Sequence, residues 1–457
     1  MLKLSLYGVF VVFCAIAFQY VSKKVPEPFI DEIFHLTQCQ KYCAYKFNEW
    51  DNKITTPPGL YILGLAYTRA IQLVTLDNIH SLFEACTNDI LRSVNLVGGL
   101  VVLPLSLQVL DTDNFWTVNI MALPLLVSYY FLFYTDVWAT ILVVIALVLV
   151  VQKPLGLITS VYTSAIVAFT SLWFRQTNIL WVAFILAILI DKRCKRRAND
   201  SFISEVITFI SQTFKDWLLV VPFILVILSF AAFVVYNGGI TLGDKENHTL
   251  NLHVVQVFYC MVFIVGFTWP VWLSTKTIKD YLKFTLGGAI PLSFTLISFY
   301  SIKYIIANFT VVHPFLLADN RHYTFYIWRK ILNQKYSWVA MVPIYHFCTW
   351  TVISSLIRGP SMGKSSLKLS PITIIAFVIV VIATIIPSPL FEPRYYILPL
   401  VIFRMFIGPV QCNTFTTRTR HVTEFIWSML INVLTITVFL SYEFKWPTEN
   451  SVQRIIW

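Results

Sequence analysis

Two adjacent carboxylates, Asp31 and Glu32, stand in "PEPFIDEIFHLTQCQKYC" (residues 26–43), just after the first apolar run of a chain with 23 acids among 457 residues. Carboxylates in that place can take a proton from an attacking hydroxyl or bind a cation. Pro26 and Pro28 favour a helix starting near Phe29. On such a helix Asp31, His35 and Gln38 fall at i, i+4 and i+7 and share a polar stripe, while Glu32 sides with Phe29, Leu36 and Cys39. Acids in a first turn also complement the helix dipole, which suffices for Glu27. Asp31 differs, because its stripe stays polar for about two turns. No HExxH, EF-hand or CxxC spacing accompanies these residues, so no metal is expected. General base is the expected role, with Asp31 first and Glu32 in reserve.

A further acid, Asp51, precedes Pro57, Pro58 and Gly59 in "FNEWDNKITTPPGLY" (47–61). The prolines favour extended backbone and the glycine permits close approach; Asp51 is a candidate for orienting the substrate or the base. Cations come from later in the chain. Arg175 in "WFRQTNILW", Arg321 and His322 in "ADNRHYTFYIWRK", and Arg394 in "FEPRYYILP" each sit between apolar runs. Arginine at such depth is costly unless it meets an anion or an acid partner. Asp319 and Glu392 offer local partners to Arg321 and Arg394, whereas Arg175 has no acid near it in sequence and is the strongest anion-site candidate. A base, several cations and an apolar surround suit one chemistry: a lipid-linked phosphate leaves while a carboxylate deprotonates the attacking hydroxyl.

The elements that must position these groups are membrane helices. The chain is 57% hydrophobic and 12% charged, against about 25% charged in an ordinary soluble domain. Its net charge of +11 comes in short clusters between apolar runs, which is the positive-inside pattern and not the continuous stripe that nucleic acid requires. The first run has no small-residue cleavage site and reads as a retained helix. Residues 58–75 are apolar but carry Arg69. If that segment lies on the surface and the N-terminus is cytoplasmic, "DKRCKRR" (191–197), Lys276, Lys279 and Lys283, "RGPSMGKSSLK" (358–368) and "TRTRH" (417–421) all fall in the cytoplasm. The count then gives about thirteen spans (twelve to fourteen). One all-α polytopic domain, 1–457, results: a first span at 1–21, an external segment at 22–92 with short surface helices, further spans and loops over 93–441, and a tail at 442–457. The stretches 237–253 and 308–330 and the junctions 134–138, 175–178 and 387–399 share the external face with 22–92. There Cys39 or Cys43 can bond Cys86, or all three stay free; Asn247 and Asn308 are outward sequons and Asn199 an inward one.

The motifs "FIDEIFHLTQCQKYC", "WDNKITTPPGLY", "FRQTNILWVAF", "GDKENH", "ADNRHYTFYIWRK" and "FEPRYYILP" stand in this order between about residues 26 and 400. With them the chain resembles the endoplasmic-reticulum α-1,2-glucosyltransferases that add the last glucose to the dolichol-linked N-glycan precursor. The resemblance implies a GT-C glycosyltransferase fold in the endoplasmic-reticulum membrane with a luminal active site. It implies dolichyl-phosphate-glucose as donor, a diglucosylated dolichol-diphosphate oligosaccharide as acceptor, and membrane lipid as surround, with no cofactor, no metal and no nucleic acid. A β-linked donor and an α-linked product imply one inverting displacement with one base, taken from Asp31 and Glu32 in the first luminal loop. Substrate contacts are then expected from His35, Gln38, Asp51, Asp136, Arg175, Gln176, Asn178, Asp244, Lys245, His248, Arg321, His322 and Arg394. A dolichyl-phosphate-mannose-dependent transferase of the same fold is the nearest rival reading. A transporter is a more distant one, since it would place ionisable residues near the bilayer midplane in repeated, broken helices.

Overall fold

The computed structural model describes residues 2–76, 81–110, 114–195, 201–245, 250–360, 367–409, 416–446 and 452–457. Its regular structure is helical, apart from a two-stranded antiparallel hairpin, β1 (Phe444–Lys445) with β2 (Val452–Gln453). Among the described residues, six helices are long and apolar enough to cross a bilayer: Ser5–Lys24, Asn88–Gln108, Trp217–Asn237, Ala289–Asn308, Ser337–Arg358 and Thr417–Ser441. Five more apolar helices are shorter, at 10–17 residues. The chain is therefore an all-α polytopic membrane protein. It folds as two compact units, Met1–Met121 with Leu126–His248, and Ala122–Leu125 with Thr249–Trp457.

The first unit contains α1 (Leu2–Lys24), α2 (Glu32–Cys43), α3 (Gly59–Thr75), α4 (Asn88–Gln108), α5 (Asp136–Gln152), α6 (Leu157–Leu172), α7 (Asn178–Asp191) and α8 (Trp217–Asn237). Between α1 and α4 lie the short helices expected over 22–92. The apolar stretch 114–133, long enough in sequence for one span, is broken at Pro124, which cannot continue the hydrogen-bond ladder. Every residue from 115 to 137 is buried. Irregular backbone is tolerated at membrane depth when protein surrounds it, because its polar groups are then satisfied internally. That is one reason fewer long helices appear than apolar segments. A second difference is that α4 starts at Asn88, capped by the Thr87 hydroxyl, and so takes Arg92 and Asn95 into its first turns.

The second unit contains α9 (Gln256–Phe267), α10 (Ala289–Asn308), α11 (Ser337–Arg358), α12 (Pro371–Ile385) and α13 (Thr417–Ser441). A buried ion pair, Arg404 with Glu424, ties the helix Ile397–Phe406 to α13. Its Nη2–Oε2 hydrogen bond is 2.8 Å, and Nη1 donates to the Ile407 carbonyl. Left unpaired, either charge would carry a large desolvation cost.

Within each unit, segments that the charge count assigns to one face meet one another. In the first, Leu242 and Asp244 donate to the carbonyls of Thr55 and Asn52, while Arg193 pairs with Asp216 among the basic loops. In the second, Asn251 and His253 donate to Pro387 and Ile386, while Arg420 donates to Pro270 and Leu273.

Candidate active site

Asp31 sits at the N-cap of α2, not inside the helix as the proline pattern suggested. The preceding Ile30 has φ 51°, a left-handed conformation that costs a β-branched residue about 1–3 kcal/mol. Asp31 itself is right-handed helical, so its side chain and that of Glu32 diverge by the helical step of about 100°. Asp31 stays partly exposed, and its backbone N–H donates to the Tyr134 hydroxyl at 3.1 Å. Glu32 is fully buried and accepts four hydrogen bonds, from Phe29 N–H, Phe133 N–H, and Nε and Nη2 of Arg92. Both of its oxygens are engaged by these donors, so Glu32 joins α2 to Arg92 and to the Phe133 backbone. Arg92 was missed because it falls at the margin of an apolar run; an arginine entering a span was the available signal.

The junction after the buried 115–133 stretch carries the site further. Asn95 donates to the Leu132 and Tyr134 carbonyls at 2.7 and 2.8 Å, and Glu32 holds the amide between them. Tyr134 therefore has a fixed backbone from which its hydroxyl meets Asp31. Its ring also receives His35 edge-on, with centroids 5.8 Å apart. His35 Nδ1 lies 2.8 Å from the Tyr61 hydroxyl, and burial pushes that phenol well above its ordinary pKa. Two residues beyond Tyr134, Asp136 begins α5 and pairs with Arg175. Arg175 thus has an acid partner that sequence distance concealed, since the two are 39 residues apart. It remains partly exposed, while Asp136 is buried.

Several of the other expected contact residues also brace loops. Gln38 is buried, donates to the Glu49 carbonyl at 2.7 Å and accepts from the Asp51 N–H at 3.1 Å. Asp51 in turn accepts from the Lys53 N–H. The close approach expected at Gly59 is realised: its N–H donates to the Trp173 carbonyl, and a Cβ there would lie 2.5 Å from that oxygen. Gln176 donates to the carbonyls of Thr55 and Ile240, and buried Asn178 to those of Ala139 and Ser171. Asp244 adopts φ 45° beside Asn52, and Lys245 is exposed and donates to the Asn237 carbonyl. His248, Asn247 and Asn199 lie outside the described residues. Asn308 is exposed at the end of α10.

Of Cys39, Cys43 and Cys86, the last two form a disulfide, and the thiol of Cys39 lies within 4.8 Å of both its sulfurs. The bond ties the end of α2 to the turn before α4, so the segment carrying Asp31 is cross-linked to the one carrying Arg92.

In the second unit the two remaining arginines pair locally. Arg321 makes a two-pronged contact with Asp319, at 2.9 and 2.8 Å, and His322 lies 3.8 Å from the same carboxylate. Burial raises the Asp319 pKa, but Arg321 and His322 outweigh it and hold the carboxyl below its usual range. Arg394 pairs with Glu392 on the 3-10 turn before the helix Ile397–Phe406. Each arginine keeps part of its surface exposed.

A helical polytopic membrane protein whose first unit sets a partly exposed acid beside a fixed tyrosine hydroxyl has the makings of a transferase acting on lipid-linked substrates. The chain belongs to the DIE2/ALG10 family, whose model matches residues 25–405. It is similar to proteins named Dol-P-Glc:Glc(2)Man(9)GlcNAc(2)-PP-Dol alpha-1,2-glucosyltransferase from three organisms. The Debaryomyces hansenii protein is 56% identical over 100% of this chain and 99% of its own length. The Candida albicans protein is 45% identical over 96% and 95%, and the Mus musculus protein 31% identical over 98% and 97%. No solved structure matches the chain.

Proposed function

We propose that this protein transfers glucose from dolichyl-phosphate-glucose to the diglucosylated dolichol-diphosphate oligosaccharide, forming the terminal α-1,2-glucose of the N-glycan precursor. The observation that carries this reading is similarity along essentially the whole chain to fungal and mammalian proteins bearing that activity in their names. Those names specify a glucose donor and so weigh against the mannose-dependent rival. The scaffold is read as a GT-C fold in the endoplasmic-reticulum membrane, with the face that carries 22–92 luminal.

In the proposed mechanism Asp31 takes the proton from the acceptor's 2-hydroxyl as the oxygen attacks the donor's anomeric carbon from the face opposite the phosphate. The bond to phosphate breaks, and its developing charge is met by arginine; Arg175, partly exposed and paired with Asp136, and Arg321 are the two candidates for that role. His35, held by Tyr61 and Tyr134, lines the approach to Asp31. Glu32 is assigned no proton, because Arg92 and two backbone amides occupy it. No step calls on a metal or cofactor.

The test is purified protein given each donor lipid in turn with the diglucosylated acceptor, products being separated by mass. One added hexose from the glucose lipid alone supports the reading. Transfer from the mannose lipid alone, or none from either with folded protein, overturns it.

A further inference from the structure

Residues 442–446 and 452–457 lie beyond the 25–405 stretch matched by the family, yet they fold onto the "ADNRHY" motif inside it. The backbones join first: Ile456 N–H donates to the Arg321 carbonyl at 2.8 Å, and Tyr323 N–H to the Ile456 carbonyl at 3.1 Å. Side chains then engage the motif residue by residue. The guanidinium of Arg321 stacks 4.4 Å from the centre of the Trp446 ring, and its Nη1 donates to Gln453 Oε1 at 3.3 Å. Trp446 Nε1 donates to Asn320 Oδ1 at 2.8 Å.

Such a tail would not hold this place unaided, since an isolated two-stranded hairpin is marginal in water. It is anchored at both ends. Arg454 is buried, donates to the last carbonyls of α13 at Phe439 and Leu440, and pairs with Glu443 at 2.7 Å. Trp457 packs on Phe263, Phe267 and Tyr323, and its Nε1 donates to Thr435. Arg321 is therefore gripped on one edge by Asp319, on one face by Trp446 and at one nitrogen by Gln453. A guanidinium stacked on an indole keeps its charge while its orientation is set.

We infer that Trp446 and Gln453 are positioning residues, by which the chain's C-terminal segment sets the guanidinium of Arg321 for the donor phosphate. The inference rests on the assignment of Arg321 to that phosphate. It predicts a role in donor affinity for a segment that contributes no acid or base to the reaction.

Donor and acceptor kinetics of full-length Trp446→Ala, Trp446→Phe, Gln453→Ala and Arg321→Gln test it. Trp446→Ala and Gln453→Ala should raise the donor KM about three- to tenfold and leave the acceptor KM unchanged. Trp446→Phe, which keeps an aromatic face, should restore the donor KM to within about twofold of wild type. If Arg321→Gln raises the donor KM while Trp446→Ala and Gln453→Ala only reduce the yield of folded protein, the positioning role is overturned and the Arg321 assignment stands. If Arg321→Gln alters neither donor KM nor kcat, the assignment fails, and the inference with it.

Discussion

Arg92 holds Glu32 by two hydrogen bonds of 3.0 and 2.7 Å, with both side chains fully buried and sixty residues apart in sequence. The same guanidinium donates to the carbonyls of Val25 and Glu27. This pair fastens the N-terminal end of α2 to α4 and, through Phe133, to the junction that carries Tyr134. The neighbouring Asp31 can stay partly exposed because Glu32 takes the structural load.

Arg92→Met should therefore destabilise the protein by about 3–5 kcal/mol, since it strands a buried carboxylate. Thermal unfolding in detergent measures this. The double variant Glu32→Gln with Arg92→Met should recover part of the loss, because the uncompensated charge is gone. Additive losses would show that the two residues act separately.

The Asp136–Arg175 pair makes a different prediction. Arg175→Gln removes the cation offered to the phosphate and should lower kcat/KM for the donor at least about tenfold, equivalent to about 1.4 kcal/mol. Arg175→Lys should recover part of it, as a point charge lacks the planar fork. Kinetics indistinguishable from wild type would confine the pair to holding α5 against the 175–178 junction.

Reduction tests the cross-link. Cys43→Ser, or reductant on wild type, should cost about 2–4 kcal/mol by freeing a loop whose ends are 43 residues apart. Cys39→Ser should cost less than Cys43→Ser, because it breaks no cross-link and alters only a buried thiol that donates to the Tyr61 carbonyl. If Cys39→Ser destabilises as much as Cys43→Ser, the pairing is otherwise.

Asp319 gives a pH dependence. Its folded carboxyl is held below the ordinary value, so its ion pair stabilises above that value, and the contribution is lost as pH falls through the folded pKa. The stability gap between wild type and Arg321→Gln should be about 1 kcal/mol from neutrality to about pH 5 and shrink below about pH 4. A gap constant to pH 3 would mean that Arg321 stabilises through Trp446 and not through Asp319.

The sequence was most readable where a pattern is local. Apolar runs pointed to the helices, and Gly59 and the prolines before it announced a close approach. What it concealed was pairing over distance. Arg175 looked unpartnered because its acid is 39 residues away, and the pairing of Glu32 with Arg92 was hidden because the two are sixty residues apart. Helical periodicity alone put Gln38 on an open polar stripe, whereas its amide was needed to satisfy the buried backbone at Glu49 and Asp51. Nothing in the tail's composition marks Trp446 as a partner of Arg321, since that contact exists only once the hairpin folds back.

The central claim is that Asp31 is the base, and Asp31→Asn tests it most directly. Asparagine keeps the shape and the N-cap position but cannot take a proton at neutral pH. With purified protein, synthetic donor lipid and diglucosylated acceptor, the variant should fold and retain donor affinity while transfer falls by at least about a hundredfold. Glucose transfer by the folded variant near the wild-type rate would contradict the account.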